Sequence, residues 1–220
     1  YNKSLTGGGM YSTRANCDIS GCTFVANQTL SRGGAIRLES VDQLLLTNCN
    51  FGGNSAGSGG AISVYSSASQ ALACDFTGNT ATNFGGAIES NSSTVALIDC
   101  KLAENIVTSN AISGGGGLYG SSSDINISNS AITDNSATGP GGGAHLVNCP
   151  CTSTNSLYDG NTSTQDGGAL SLESSDLIFT ICVFTDNSSA NDGGALLING
   201  TSQDTSNFSS CTFMGNSSTE

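Results

Sequence analysis

Apolar and polar residues alternate with period two over short stretches that recur, in most cases, 26 residues apart. Ile36 and Leu38 flank Arg37, and Ile62/Val64, Leu170/Leu172 and Leu196/Ile198 repeat the pattern. Such alternation turns one face of a β-strand inward. A second alternating pair follows in each unit, as Leu44/Leu46, Val95/Leu97, Ile125/Ile127 and Leu177/Phe179. A third pair, Cys49 and Phe51, lies two residues apart. The gap of three residues between Leu46 and Cys49 breaks the alternation, so the chain turns a corner there. Helical stripes and heptads are absent. Three short strands and three corners in about 26 residues predict one coil of a parallel β-helix.

The repeat is marked by a glycine pair. Gly33-Gly34-Ala35-Ile36 returns at Gly59, Gly85, Gly167 and Gly193, with looser copies at Gly7, Gly115 and Gly141. A fixed period of about 20–50 residues signals a solenoid, whose coils share one inner column. The expected fold is all-β, a right-handed parallel β-helix of about eight coils with three short strands each. One array spans residues 1–220, with units starting near 7, 33, 59, 85, 115, 141, 167 and 193. One link is four residues longer, through Val107–Asn110, and the last unit three longer, near Asn199–Thr201; both insertions map to loops. The chain starts mid-pattern at Tyr1 without an initiator Met, which reads as part of a longer chain or a filament.

Like residues stack on like residues in such an array. The glycine pair fits a corner needing positive φ or close backbone approach. A phosphate-binding reading lacks the Lys-Ser/Thr and helix it needs. The position after the pair holds only Gly or Ala in all eight units, which predicts a tight spot. Phe24, Phe51, Phe76, Tyr158, Phe184 and Phe213 share a column with Leu102 and Ile132, an expected inner stack. Three residues on, Asn27, Asn54, Asn79, Asn105, Asn135, Asn161, Asn187 and Asn216 form a structural asparagine column. Asparagine tolerates the left-handed conformation of a corner and can bond from coil to coil.

Nine Asn-x-Ser/Thr sequons are present. Asn91, Asn126, Asn199 and Asn207 lie off the column and are the better glycan candidates. Asn2, Asn27, Asn161, Asn187 and Asn216 are the weaker ones; the last four lie in the column, and a laddered amide cannot carry a glycan. Of nine cysteines, Cys22, Cys49, Cys74, Cys100, Cys182 and Cys211 form a structural inward column, with Ser130 and Ser156 in two coils. Cys17 and Cys151 fall in the slot of Leu44. Buried thiols are expected, with bridging left open between adjacent coils and at Cys149-Pro150-Cys151.

The net charge of −12, with five basic residues, argues against nucleic acid as a partner, and no apolar run reaches the roughly 20 residues of a membrane span. No cofactor or metal is expected. His145 reads as an exposed surface residue, and Asp166 with Asp192 reads as a solvated corner, calcium being the alternative. The five basic residues look scattered, with no coil gathering paired acids and a base. Recognition then falls to the variable positions after the glycines, such as Arg37, Glu89 and His145.

The pairing of Gly-Gly-Ala-Ile/Leu with Phe-x-x-Asn resembles the repeat of chlamydial polymorphic outer-membrane protein passenger domains and related secreted β-helix repeat proteins. The resemblance implies a surface-displayed β-helix with an adhesive role. The expectation is therefore a non-enzymatic extracellular or cell-surface module, structural or adhesive, as a glycosylated fibril subunit that stacks end to end. Its partners would be copies of itself or adjoining repeats, with cell-surface glycans or host proteins beyond them. The alternatives are a carbohydrate-active β-helix enzyme, either a polysaccharide lyase, a hydrolase or an epimerase, and, ranked below it, an ice-binding protein. The position beside the cysteines reads Thr23, Asn50, Asp75, Lys101, Ala131, Leu157, Val183 and Thr212, which is no threonine ladder.

Overall fold

A computed structural model of the chain describes residues 3–4, 6–109 and 113–219. All of its regular elements are strands, and every strand pairing is parallel between successive coils. The coil that starts at Gly33 shows the plan. Ile36–Glu39 belongs to a first sheet, Leu44–Thr47 to a second, Asn50–Gly52 to a third and Ser55–Ser58 to a fourth. The first three sheets each contain 8 strands and the fourth contains 9. Among the described residues no helix is long and apolar enough to cross a membrane.

The fold is the parallel solenoid that the alternation predicts, but each coil has four strands and not three. The fourth is short, as in Gln28–Thr29, Ile106–Val107 and Ser188–Ser189. A strand of two residues sends a single side chain inward, so it carries no alternation to detect. The inward residues of this sheet include Ala81, Val107 and Ala137, which form a small buried cluster of their own.

Four strands require four corners, and each corner turns on one residue in the left-handed region, except the longer link from Asn199 to Ser206 in the last coil. The first glycine of every pair supplies one, with φ between 58° and 72°. The other three use Ser40, Asn48 and Gly53 in this coil, with φ of 55°, 52° and 59°. The Asn column does not take this conformation, contrary to expectation; the residue just before each Asn does. That leaves the asparagine side chain free to point inward.

Registry is held without slips through most of the array. Ile36 pairs with Ile62, and Ile62 with Ile88, so one inward position stays inward along the rod. The inner column is aromatic at both ends and aliphatic in the middle. Phe24, Phe51 and Phe76 stack with centroids 4.9 and 4.8 Å apart, and Tyr158, Phe184 and Phe213 stack at 4.7 Å. Leu102 and Ile132 lie between them, fully buried. Tyr158 brings a hydroxyl into this core and donates it to Ser153 Oγ at 2.9 Å. Ser153 occupies the slot that Leu97 and Ile127 hold in earlier coils, so the two polar substitutions satisfy each other.

Candidate functional site

Three ladders of polar side chains run along the rod, and they account for most of its buried polar groups. In the asparagine ladder, Asn105 Oδ1 accepts from the backbone N–H of Asn79 at 2.9 Å and from Asn79 Nδ2 at 3.0 Å. Asn105 Nδ2 donates to Phe76 O at 2.8 Å and to Asn135 Oδ1 at 2.9 Å. The same pattern joins Asn54 to Asn79, Asn135 to Asn161 and Asn161 to Asn187. Both amide hydrogens and both lone-pair positions are thereby used. Asn27, Asn161 and Asn187 are buried and Asn216 is half-buried, all with this pairing. Among the other sequons, Asn126, Asn199 and Asn207 are exposed and Asn91 is half-buried. Asn2 lies outside the described residues.

The second ladder escaped the sequence reading. The backbone N–H groups of Val41, Ser67 and Ser93 donate to the hydroxyls of Ser67, Ser93 and Ser123 at 2.9, 3.1 and 3.2 Å. Ser123 N–H then meets Cys149 Sγ, and Cys149 N–H meets Ser175 Oγ. Cys149 thus stands in a serine's place and does not pair with Cys151. The signal was a serine or cysteine eight positions after the first glycine of the units that start at Gly59, Gly85, Gly115, Gly141 and Gly167, lost against a serine-rich background.

The third ladder is the cysteine column. Cys49 N–H donates to Cys74 Sγ at 3.5 Å, Cys100 N–H to Ser130 Oγ at 3.0 Å and Ser130 N–H to Ser156 Oγ at 3.3 Å. Serine can replace cysteine here because the position needs a small acceptor more than a sulfur. All nine cysteines are free thiols. Burial pushes the Cys149 and Cys151 thiols up. Ellman's reagent should therefore label Cys22 rapidly, Cys17 and Cys211 slowly, and the six buried thiols only on unfolding. A disulfide seen in non-reducing peptide mapping would refute this.

The position between the inward residues of the first sheet behaves unexpectedly. Alternation places Arg37, Ser63, Glu89, Tyr119, His145 and Ser171 outward. Yet Ser63, Glu89, His145 and Ser171 are at most 5% exposed. The links from the fourth sheet to the glycine corners fold over this face as a roof. Arg32, from one such link, pairs with Glu89, 57 residues away. Phe84 packs on Tyr119 with centroids 4.4 Å apart. Gly114 lies so close to His145 that a Cβ there would sit 2.7 Å from Nδ1. The exposed placement of His145 is thus corrected, and Glu89 and His145 are withdrawn from direct recognition.

The roof also gathers charges that looked scattered. Arg32 and Ser63 Oγ hold the two oxygens of Glu89, the hydroxyl at 2.8 Å. Burial pushes the Glu89 carboxyl above its ordinary range, with Arg32, Ser63 and Arg37 pulling the other way. Arg37 donates to Glu39 at 3.3 Å, and Tyr11 donates its hydroxyl to the same carboxylate at 2.8 Å. Glu89 and Glu39 are thus each hydrogen-bonded to neighbours within the cluster.

His145 Nε2 lies 3.3 Å from Glu173 Oε1, while Nδ1 is buried with no hydrogen-bond partner. Burial lowers its pKa below 6.5, and Glu173 opposes the shift. A group whose folded pKa is depressed contributes stability above its unfolded pKa and loses it as pH falls through the folded one. His145 is the sole histidine, so one imidazole resonance reports it. Its NMR titration midpoint should fall below 6.5 in the folded protein and return to 6.5 in urea. A folded midpoint at or above that value would show that Glu173 outweighs burial.

Two further surface features complete the picture. An open groove of about 400 Å³ follows the corner between the first and second sheets, lined by Asp42, Ser66, Ser92, Thr94, Ser122 and Asp124. It offers hydroxyls and two carboxylates to a polar ligand. At the glycine corners, Asp166 Oδ1 accepts from the backbone N–H of Asp192 at 3.1 Å, so that carboxylate braces the next coil.

Residues 73–91 and 181–199 both match the family described as the Chlamydia polymorphic membrane protein repeat. Each matched stretch runs from the corner before the cysteine column, through the phenylalanine and asparagine columns, to the strand after the glycine pair. The second-sheet strand lies outside both. None of the curated proteins compared matches the chain.

Proposed function

We propose that this chain is a non-enzymatic extracellular module, a structural and adhesive rod that lengthens by end-to-end stacking. The observation that carries the reading is the unbroken run of its columns into the coil that begins at Gly193. There Phe213 stacks on Phe184 at 4.7 Å, and Asn216 continues the amide ladder. A coil in this state is a template. A further coil, from adjoining repeats or from a second copy, would cover the ring and extend all four sheets. The family that matches is named for membrane proteins, which supports placing this module at a cell surface.

The exposed Asn126, Asn199 and Asn207 would carry glycans, with Asn91 a fourth site. Cell-surface glycans suit the hydroxyl-lined corner groove, and host proteins suit the flat outer sheet faces. The committed acids beneath the roof favour this reading over a polysaccharide-processing enzyme.

Electron microscopy and light scattering test it. The protein should form rods whose length grows with concentration, and peptide mapping after secretion from eukaryotic cells should place glycans at Asn126, Asn199 or Asn207 and none at Asn161 or Asn187. A strictly monomeric particle at all concentrations, or turnover of acidic polysaccharides, would overturn the proposal.

A further inference from the structure

One corner breaks the rule of its column. At the turn between the second and third sheets the other coils use glycine, asparagine, aspartate, alanine or serine. The coil that begins at Gly167 uses Ile181, with φ of 57°. A β-branched residue is strained in the left-handed region, because its Cβ crowds the following carbonyl. Its side chain gains nothing from burial in return, since it is 55% exposed. Asn155, one coil earlier, adopts the same conformation with φ of 49°, so the fold itself does not ask for isoleucine.

Ile181 is not alone. Ile178, on the outer face of the second sheet, is 53% exposed, and Val183, on the outer face of the third, is 36% exposed. Leu157 is the register partner of Val183 one coil earlier and is half-buried. Ile178, Ile181 and Val183 follow one another around the corner, with Thr180 between the first two, and Leu157 lies beside Val183, which makes an apolar strip that wraps the corner sideways. Isolated exposed apolar residues need no explanation, but a contiguous strip with a strained centre does.

The strip has a charged border. Asp159 is outward on the same strand as Leu157, and Asp134 and Asp186 hold the next corner of their coils. The three carboxylates are close enough to feel one another: burial and the charges of Asp134 and Asp186 raise the Asp159 carboxyl. Apolar side chains beside a row of acids complement a segment that is apolar on one edge and cationic on the other. Of the chain's five basic residues, Arg32 and Arg37 are already paired, and Lys101, in the register column of Leu157 and Val183, stands two coils before Leu157, so the complement is sought on another molecule.

We infer that the corner strip of Leu157, Ile178, Ile181 and Val183, bordered by Asp134, Asp159 and Asp186, docks a cationic amphipathic segment of a partner protein. The inference rests on the adhesive reading above and names the chemistry of its partner. Ile181 is the anchor, held proud of the surface by the same left-handed turn that strains it.

The test uses the intact chain and a fluorescent helical peptide of leucine and lysine, with a leucine–glutamate peptide as control. Wild type should bind the lysine peptide and not the glutamate one, more weakly as salt rises. Ile181→Asn should weaken binding about tenfold, the loss expected of one buried anchor. It should also raise the thermal midpoint, because asparagine accepts the turn. The Asp159→Asn, Asp186→Asn double variant should bind more weakly and lose most of the salt dependence.

Unchanged affinity in Ile181→Asn, or equal binding of both peptides, would overturn the inference. So would self-association of wild type through this strip, seen as sideways dimers that Ile181→Asn abolishes. The end-to-end reading stands or falls apart from this: rods without peptide binding sink the docking strip alone, and peptide binding by a permanent monomer sinks the stacking alone.

Discussion

Gly60→Ala should destabilise the rod by on the order of 4 kcal/mol, enough to unfold much of a marginal domain. The two glycines of each pair do different work. Gly59 takes φ of 60°, while Gly60 has no such conformation and serves by close approach. A Cβ at Gly60 would lie 2.0 Å from Gly86 O of the next coil and 2.7 Å from Thr80 O. Both obstacles are backbone, and the register of neighbouring coils fixes them, so neither can swing aside. Gly53→Ala is the control. Gly53 has φ of 59°, but nothing lies within 4 Å of its would-be Cβ, and Ala26 already occupies the same corner with φ of 55°. Only the conformational cost of about 1–2 kcal/mol remains there. Urea unfolding of the two variants separates the effects, and equal losses would show that conformation alone explains the pair.

Asn105→Ala should cost about 3–5 kcal/mol, the second largest single effect. Asn105 is fully buried at the middle of its ladder, and its side chain takes part in four hydrogen bonds. Alanine leaves the Asn79 N–H and the Phe76 carbonyl without their side-chain partner. The net worth of the bonds is modest; stranding dehydrated polar groups is what costs. Asn105→Asp keeps the acceptor and loses the donor. Burying its ionised form raises the folded pKa, so stability should be lost as pH rises through the carboxyl range. A chemical-unfolding series for Asn105→Ala, Asn105→Asp and the half-buried Asn216→Ala checks the account. The last should lose least, since Asn216 is only half-buried. Equal losses at all three sites would mean that the ladder is not cooperative in this way.

The solenoid itself was legible because its signals repeat. Any one Gly-Gly or Phe-x-x-Asn is weak, but eight copies at a near-constant spacing are not. The strands with two inward residues announced themselves by alternation. The fourth strand could not, since Thr29 or Val107 alone defines no period. The serine ladder shows a related limit. Ser67, Ser93 and Ser123 each stand eight positions after the first glycine of their unit, yet serine is too common in this chain for that placement to stand out.

The roof was illegible for a different reason. Arg37, Glu89 and His145 sit at positions where strand alternation points outward, and the alternation is right. What covers them comes from the links of neighbouring coils, and a two-residue period carries no information about links. Arg32 meets Glu89 only because two intervening coils stack in register, which brings residues 57 apart in sequence within bonding distance.

The sequence by itself determined the coil length, the inward columns and the places where only glycine or alanine fits, because stacking in register turns each local requirement into a repeated letter. Tertiary structure alone decided which outward residues are buried, which sequons remain accessible and where apolar side chains join across a corner. Those properties depend on what neighbouring coils lay over a position, and the same residue at the same step of the repeat can be roofed in one coil and bare in another.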